Sequence, residues 1–135
     1  MALRPAAAQQ GALCAAVAAL LPADTGQLTL TRDTVVSDPR TDERLPGCVL
    51  RLVAGRSAFG TGPLPDQRVR DGLAALGWRE HLQYAADGPD GTAFALWRES
   101  ATCFGAAQWD GGDDADPSYV PRDDYLLVVG CVTGP

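Results

Sequence analysis

A chain of 135 residues with 46% hydrophobic and 21% charged residues has the size and composition of one folded domain, with room for a single core. Its net charge of −6 and pI of about 4.5 repel phosphate backbones and anionic lipid, and no basic stripe offsets them, so nucleic acid and membrane are poor partners. Lys, Asn and Ile are absent while Ala, Gly, Arg, Asp, Val, Leu and Pro are plentiful; the missing residues have AT-rich codons, which points to a GC-rich bacterial genome and means that the all-Arg cation set is not a recognition choice.

Residues 1–8 are expected to be a flexible or processed N-terminus. Ala12–Leu21 is apolar and follows a single Arg, as a signal-peptide core would, but it spans ten residues and no small-x-small cleavage site follows. The preferred reading is an amphipathic helix over Ala6–Leu21. Leu13, Val17, Leu20 and Leu21 fall on one of its faces, and Pro22 stands where it should stop. No stretch is long enough to span a membrane.

After a turn at Asp24-Thr25-Gly26, the alternation of Gln27–Thr31 predicts a short strand running on towards Val36. Ser37–Pro46 contains two prolines and reads as a loop. Gly47–Val53 is the next strand, with Cys48, Leu50 and Leu52 on one face and Arg51 on the other. Gly55–Pro63 is expected to be irregular. Pro65 and Asp66 open the second helix, Val69, Leu73 and Leu76 form its buried stripe, Gly77 ends it and Trp78 seals the end.

Leu82–Ala86 and Thr92–Arg98 are predicted strands joined by Asp87-Gly88-Pro89-Asp90-Gly91, where Gly and Asp suit the positive φ of a tight connection. Glu99–Ala101 makes the next reversal, into Thr102–Trp109. A long acidic loop leads to Tyr125–Val132, which is apolar on both faces and should lie centrally. The order α-β-β-α-β-β-β-β implies a single α+β domain over 1–135, with two helices on one face of a mainly antiparallel sheet of about six strands.

Cys14, Cys48, Cys103 and Cys131 are even in number, widely spaced and without C-x-x-C. A redox motif or zinc ribbon is therefore not suggested, and the choice lies between structural disulfides and inert buried thiols. If the last hairpin is symmetric, with Trp109 opposite Tyr125, then Cys103 lies opposite Cys131, close enough for a bridge. Cys14 is left for Cys48. Two such bridges favour an oxidising, extracytoplasmic compartment.

The most unusual segment is the loop after Trp109. Asp110, Asp113, Asp114 and Asp116 are interleaved with Gly111 and Gly112, which offers a hard cation such as Ca²⁺ several oxygens on a chain able to fold tightly. The EF-hand offsets are not met, and acids with glycines also make ordinary solvated turns. His81 is the sole histidine, and no serine stands in a nucleophile motif. Trp97, Trp109 and Tyr119 are candidates for an interaction surface, since Trp and Tyr enrich binding hot spots; they could equally fill a core short of large side chains. The expectation is a non-enzymatic extracytoplasmic binding or interaction domain with a protein or small-molecule partner. The alternatives are a calcium-binding module built on the Asp110–Asp116 loop and a small carboxylate-dependent hydrolase.

Overall fold

The computed structural model describes residues 6–23 and 26–133. Helix α1 (Ala6–Ala18) is followed by strands β1 (Gln27–Ser37) and β2 (Arg44–Ala54), then helix α2 (Pro65–Ala75). Two short strands, β3 (Arg79–Glu80) and β4 (Ala86–Gly88), precede three full ones, β5 (Gly91–Arg98), β6 (Ala101–Trp109) and β7 (Tyr125–Thr133). All pairings are antiparallel and form one seven-stranded sheet in the order β1-β2-β7-β6-β5-β3, with β4 also on β5. The sheet thus has one strand more than the sequence implied, and β7 lies centrally as expected.

Strand alternation decides what is buried. Cys48, Leu50 and Leu52 of β2, Leu127, Val129 and Cys131 of β7, and Phe94 and Leu96 of β5 all point to the helix side. Against them α1 sets Cys14 and Val17, and α2 sets Val69 and Leu73, four residues apart on one face. Burial of those last two side chains contributes roughly 3–6 kcal/mol. The sequence assigned α1 to Ala6–Leu21, but its last turn tightens: Leu20 and Leu21 donate backbone bonds to Val17 and Ala18, three residues back. Helix α2 ends as the glycine foretold. Gly77 adopts φ 89°, its N–H donates to Ala74 O at 3.1 Å and the Trp78 N–H to Leu73 O at 3.0 Å, a Schellman closure that folds Trp78 onto the core.

Both expected bridges form: Cys103–Cys131, which the hairpin register implied, with Cα atoms 4.1 Å apart, and the remaining pair Cys14–Cys48, at 6.1 Å. Cys131 is the register partner of Cys103 on β6 and also of Cys48 on β2. Three cysteines therefore lie in one row across three strands, and Cys14 reaches down to that row from α1.

The structure corrects three local expectations. Of Leu82–Ala86 only Ala86 is in a strand, as the first residue of β4. His81 N–H donates to Ala95 O at 2.8 Å, after which Tyr84 N–H and Ala85 N–H bond to His81 O and Leu82 O. These bonds curl Leu82–Tyr84 into a 3-10 turn that leaves Leu82 exposed. The expected loop Ser37–Pro46 is shorter because β2 begins at Arg44. Pro46 is tolerated there because β2 meets β7 only from Gly47 onward, so one side of the strand asks no donor of it. Finally, the Asp87–Gly91 hairpin closes with Gly88 opposite Gly91 and without a positive φ. Gly91 is required instead by close approach, since a Cβ there would lie 2.4 Å from Ala107 O.

Candidate functional site

Both helices lie on one side of the sheet, so the alternate residues of the same strands face outward. On β7 these are Leu126 and Val128, on β6 Phe104, Ala106 and Gln108, on β2 Val49, Arg51 and Val53, as the register requires. Strand β1 joins this face through a bulge. Between Thr31 and Thr34 it takes three steps while β2 takes two, with Asp33 at φ 55° absorbing the extra residue. The shift reverses the side-chain parity of β1 and brings Val36 onto the open face, where it is buried. Gly130 and Gly47 make room for it: a Cβ on either would meet a Val36 methyl at 2.8 or 2.9 Å.

The result is an apolar groove of about 450 Å³, lined by Val36, Val49, Ala93, Phe104, Val128 and Tyr84. One wall is the loop between β1 and β2, the other the Leu82–Tyr84 turn, and Asp38 ties them together. Its carboxylate accepts from Arg40 N at 2.8 Å, from Thr41 N at 3.3 Å and from the Tyr84 hydroxyl at 2.7 Å. Burial pushes the Asp38 carboxyl up, but the donors from Arg40, Tyr84 and Thr41 outweigh it and hold the group below its usual value. Burial and the bond to Asp38 raise the Tyr84 phenol. The Tyr84 ring rests against Phe104 at 5.3 Å and against His81 at 4.8 Å, so the sole histidine is part of the wall packing. Arg40 lies over the outer side of that ring at 5.6 Å and donates through Nη1 to Gln83 Oε1.

The same face continues into a wider recess of about 790 Å³, bounded by Arg51, Val53, Gln108 and Leu126 and overhung by the acidic loop. Asp110 organises that loop. It accepts from Gly112 N and Arg122 N, both at 3.0 Å, and from the Tyr119 hydroxyl, and its side chain is 7% exposed. The Tyr119 bond, with the backbone bonds from Arg122 and Gly112, lowers its carboxyl to about 2. Arg122 Nε stands 3.5 Å from Asp110 and 3.3 Å from Asp124. Asp113 accepts Ala115 N–H and Asp116 accepts Ser118 N–H, each at 3.0 Å, closing short Asx turns. Asp114 is exposed. Among the described residues no three His, Cys, Asp or Glu side chains converge as metal ligands do, so the structure does not bring Asp110, Asp113, Asp114 and Asp116 together. The Asp87–Gly91 hairpin does lie beside this loop: Asp90 Oδ1 accepts Gly111 N–H at 2.9 Å, and Pro89 O accepts Trp109 Nε1–H at 2.9 Å.

The three aromatic candidates also fall apart. Trp97 is on the open face at the far end of β5, beneath Arg79. Trp109 is at the opposite end of β6 and stacks on Tyr125 at 6.2 Å. Tyr119 rides on the loop, bonded to Asp110. The residues that build the groove were not singled out from sequence, although the two-sided apolar pattern of β7 was their signal: with helices covering one side only, half of those residues had to line a surface. No helix among the described residues is long and apolar enough to cross a membrane. No family profile, curated protein or solved structure matches this chain.

Proposed function

We propose that the protein is a non-catalytic binding domain of an oxidising, extracytoplasmic compartment, and that the open face of its sheet holds a small apolar ligand. The observation that carries this reading is the groove, an uncovered apolar strip of sheet walled by two tied loops. Its volume of about 450 Å³ falls within the roughly 300–1,000 Å³ of small-molecule sites. Two buried disulfides suit a compartment where thiols stay oxidised. The titratable groups around the face support binding over catalysis, since Asp38 and Asp110 each accept from three donors that hold loops in place.

A neutral solvatochromic dye such as Nile red tests the proposal. The wild type should bind it saturably with a blue shift, and Ala106→Trp should abolish binding while keeping the wild-type unfolding transition. Ala106 is exposed on the groove floor, so the larger side chain fills the groove and leaves the core alone. Absence of saturable binding, or equal binding by the folded variant, contradicts the proposal.

A further inference from the structure

Arg40 is the one charged side chain among the residues lining the apolar groove. The ion pairs among the described residues involve Arg70 and Arg122 only, so no described carboxylate is within ion-pair distance of Arg40. Asp38, two residues before it, has its oxygens engaged by Arg40 N, Thr41 N and Tyr84, and Asp42, two residues after it, is exposed. The guanidinium is nevertheless held in place, over the Tyr84 ring and by the Nη1 bond to Gln83. Its Nε and Nη2 donors have no acceptor among the described residues. A preoriented guanidinium with no ion-pair partner at the lip of an apolar groove is complementary to a planar anionic head group on an apolar body.

We propose that the ligand is an amphiphilic carboxylate: its head group pairs with Arg40 and its aliphatic part lies along the groove over Val49, Phe104 and Val128. This deepens the binding reading above and rests on it. The overall charge of −6 opposes an anion only at long range, and a Debye length of about 8 Å at physiological salt screens that term. Asp42 and Glu43 on the same loop are exposed to water, where their repulsion is weak. The contact with Arg40 is local, beside the Tyr84 ring.

Dodecanoate, dodecanol and dodecyltrimethylammonium, each below its micellar concentration, should displace Nile red from the wild type to different extents. Dodecanoate is expected to bind about tenfold more tightly than the alcohol, the scale of one hydrogen bond to a charged group, and the cation more weakly than either. Arg40→Gln should bring dodecanoate to the level of dodecanol and leave dodecanol unchanged, whereas Arg40→Lys should keep part of the preference. Equal binding of carboxylate and alcohol by the wild type, with Nile red still bound, overturns the head-group assignment and leaves the groove reading intact. Failure of Nile red and all three probes overturns the groove reading itself. Loss of the preference in Arg51→Gln but not in Arg40→Gln shows that Arg40 is the wrong cation, since Arg51 is a second guanidinium without an ion pair on this face and lines the adjoining recess.

Discussion

Changing Tyr125 to Phe removes one oxygen from the junction of α2 with the sheet. That hydroxyl donates to Asp66 Oδ1 at 2.7 Å and accepts the Asp66 backbone N–H at 2.9 Å, where Tyr125 is 1% and Asp66 7% exposed. A hydrogen bond to a charged group contributes about 1.5–3 kcal/mol, and a buried N–H left without a partner costs about 1 kcal/mol more. Tyr125→Phe should therefore lower the unfolding free energy by roughly 2.5–4 kcal/mol. The ring itself keeps its contacts with Trp109 and Phe59. The effect carries a pH signature. Burial, then the bond to Asp66, raises the Tyr125 phenol well above its ordinary value of 10.0. The folded chain keeps this proton where the unfolded chain releases it, so the stabilisation is whole below about pH 10 and is lost as pH rises further, by up to about 1.4 kcal/mol per pH unit. Burial raises Tyr84 in the same direction, and the bond to Asp110 raises Tyr119, so the variant should retain part of the alkaline slope. The assay is urea unfolding followed by Trp fluorescence, with disulfides intact, from neutral to alkaline pH. A loss under about 0.5 kcal/mol at neutral pH, the range of an indifferent substitution, or an unchanged alkaline slope refutes the reasoning.

Two further outcomes follow from the bridges and the loop. Paired replacement of Cys103 and Cys131 by Ala, which opens a span of 28 residues, should cost about 3.6 kcal/mol, and loss of Cys14–Cys48, spanning 34, about 3.8 kcal/mol on the loop-entropy account. Peptide mapping without reductant should find only these two bridges, and a native protein that titrates four thiols contradicts them. Asp110 should titrate near 2 by carboxyl-carbon NMR, against an ordinary 3.8; because the folded value is depressed, its support of the loop is present above about pH 4 and fades as pH falls towards 2. Asp110→Asn should speed amide exchange at Gly112 and Arg122 while β6 and β7 stay protected, and a midpoint near 3.8 removes the basis for this expectation.

What could be read from the sequence followed the range of the interaction involved. The Cys103–Cys131 pairing was accessible because one symmetric hairpin fixes it locally, with Trp109 opposite Tyr125. Val69 and Leu73 of the α2 stripe and its Gly77 stop are likewise local, whereas Leu76, expected in that stripe, falls after the last turn of α2 and is exposed. The Asp66–Tyr125 bond spans 59 residues, and an acid near a helix N-terminus already has a sufficient local reason, so nothing in the sequence asked for a partner. The groove depends on two features with little sequence signal. One is the bulge at Asp33, which turns Val36 onto the open face, into the groove. The other is the turn that brings Tyr84 against Asp38. The acidic loop carried a strong compositional signal of divided meaning, and in the structure its best-bonded member, Asp110, holds backbone and a phenol.

The row of cysteines bears on the order in which the chain oxidises. Cys131 has a cysteine neighbour on each side, Cys48 across β2 and Cys103 across β6. A sheet that assembles before α1 docks therefore offers Cys131 two partners. Choosing Cys48 leaves Cys14 and Cys103 both reduced. That error is one exchange from repair: the Cys103 thiolate attacks the Cys131 sulfur, forms the Cys103–Cys131 bond and releases the Cys48 thiolate. A two-electron oxidant, a disulfide of another thiol compound for example, can then join Cys48 to Cys14 once α1 is seated. Strand order makes the inner bridge correctable from within the sheet, and the docking of α1 locks it by removing Cys48 from the competition.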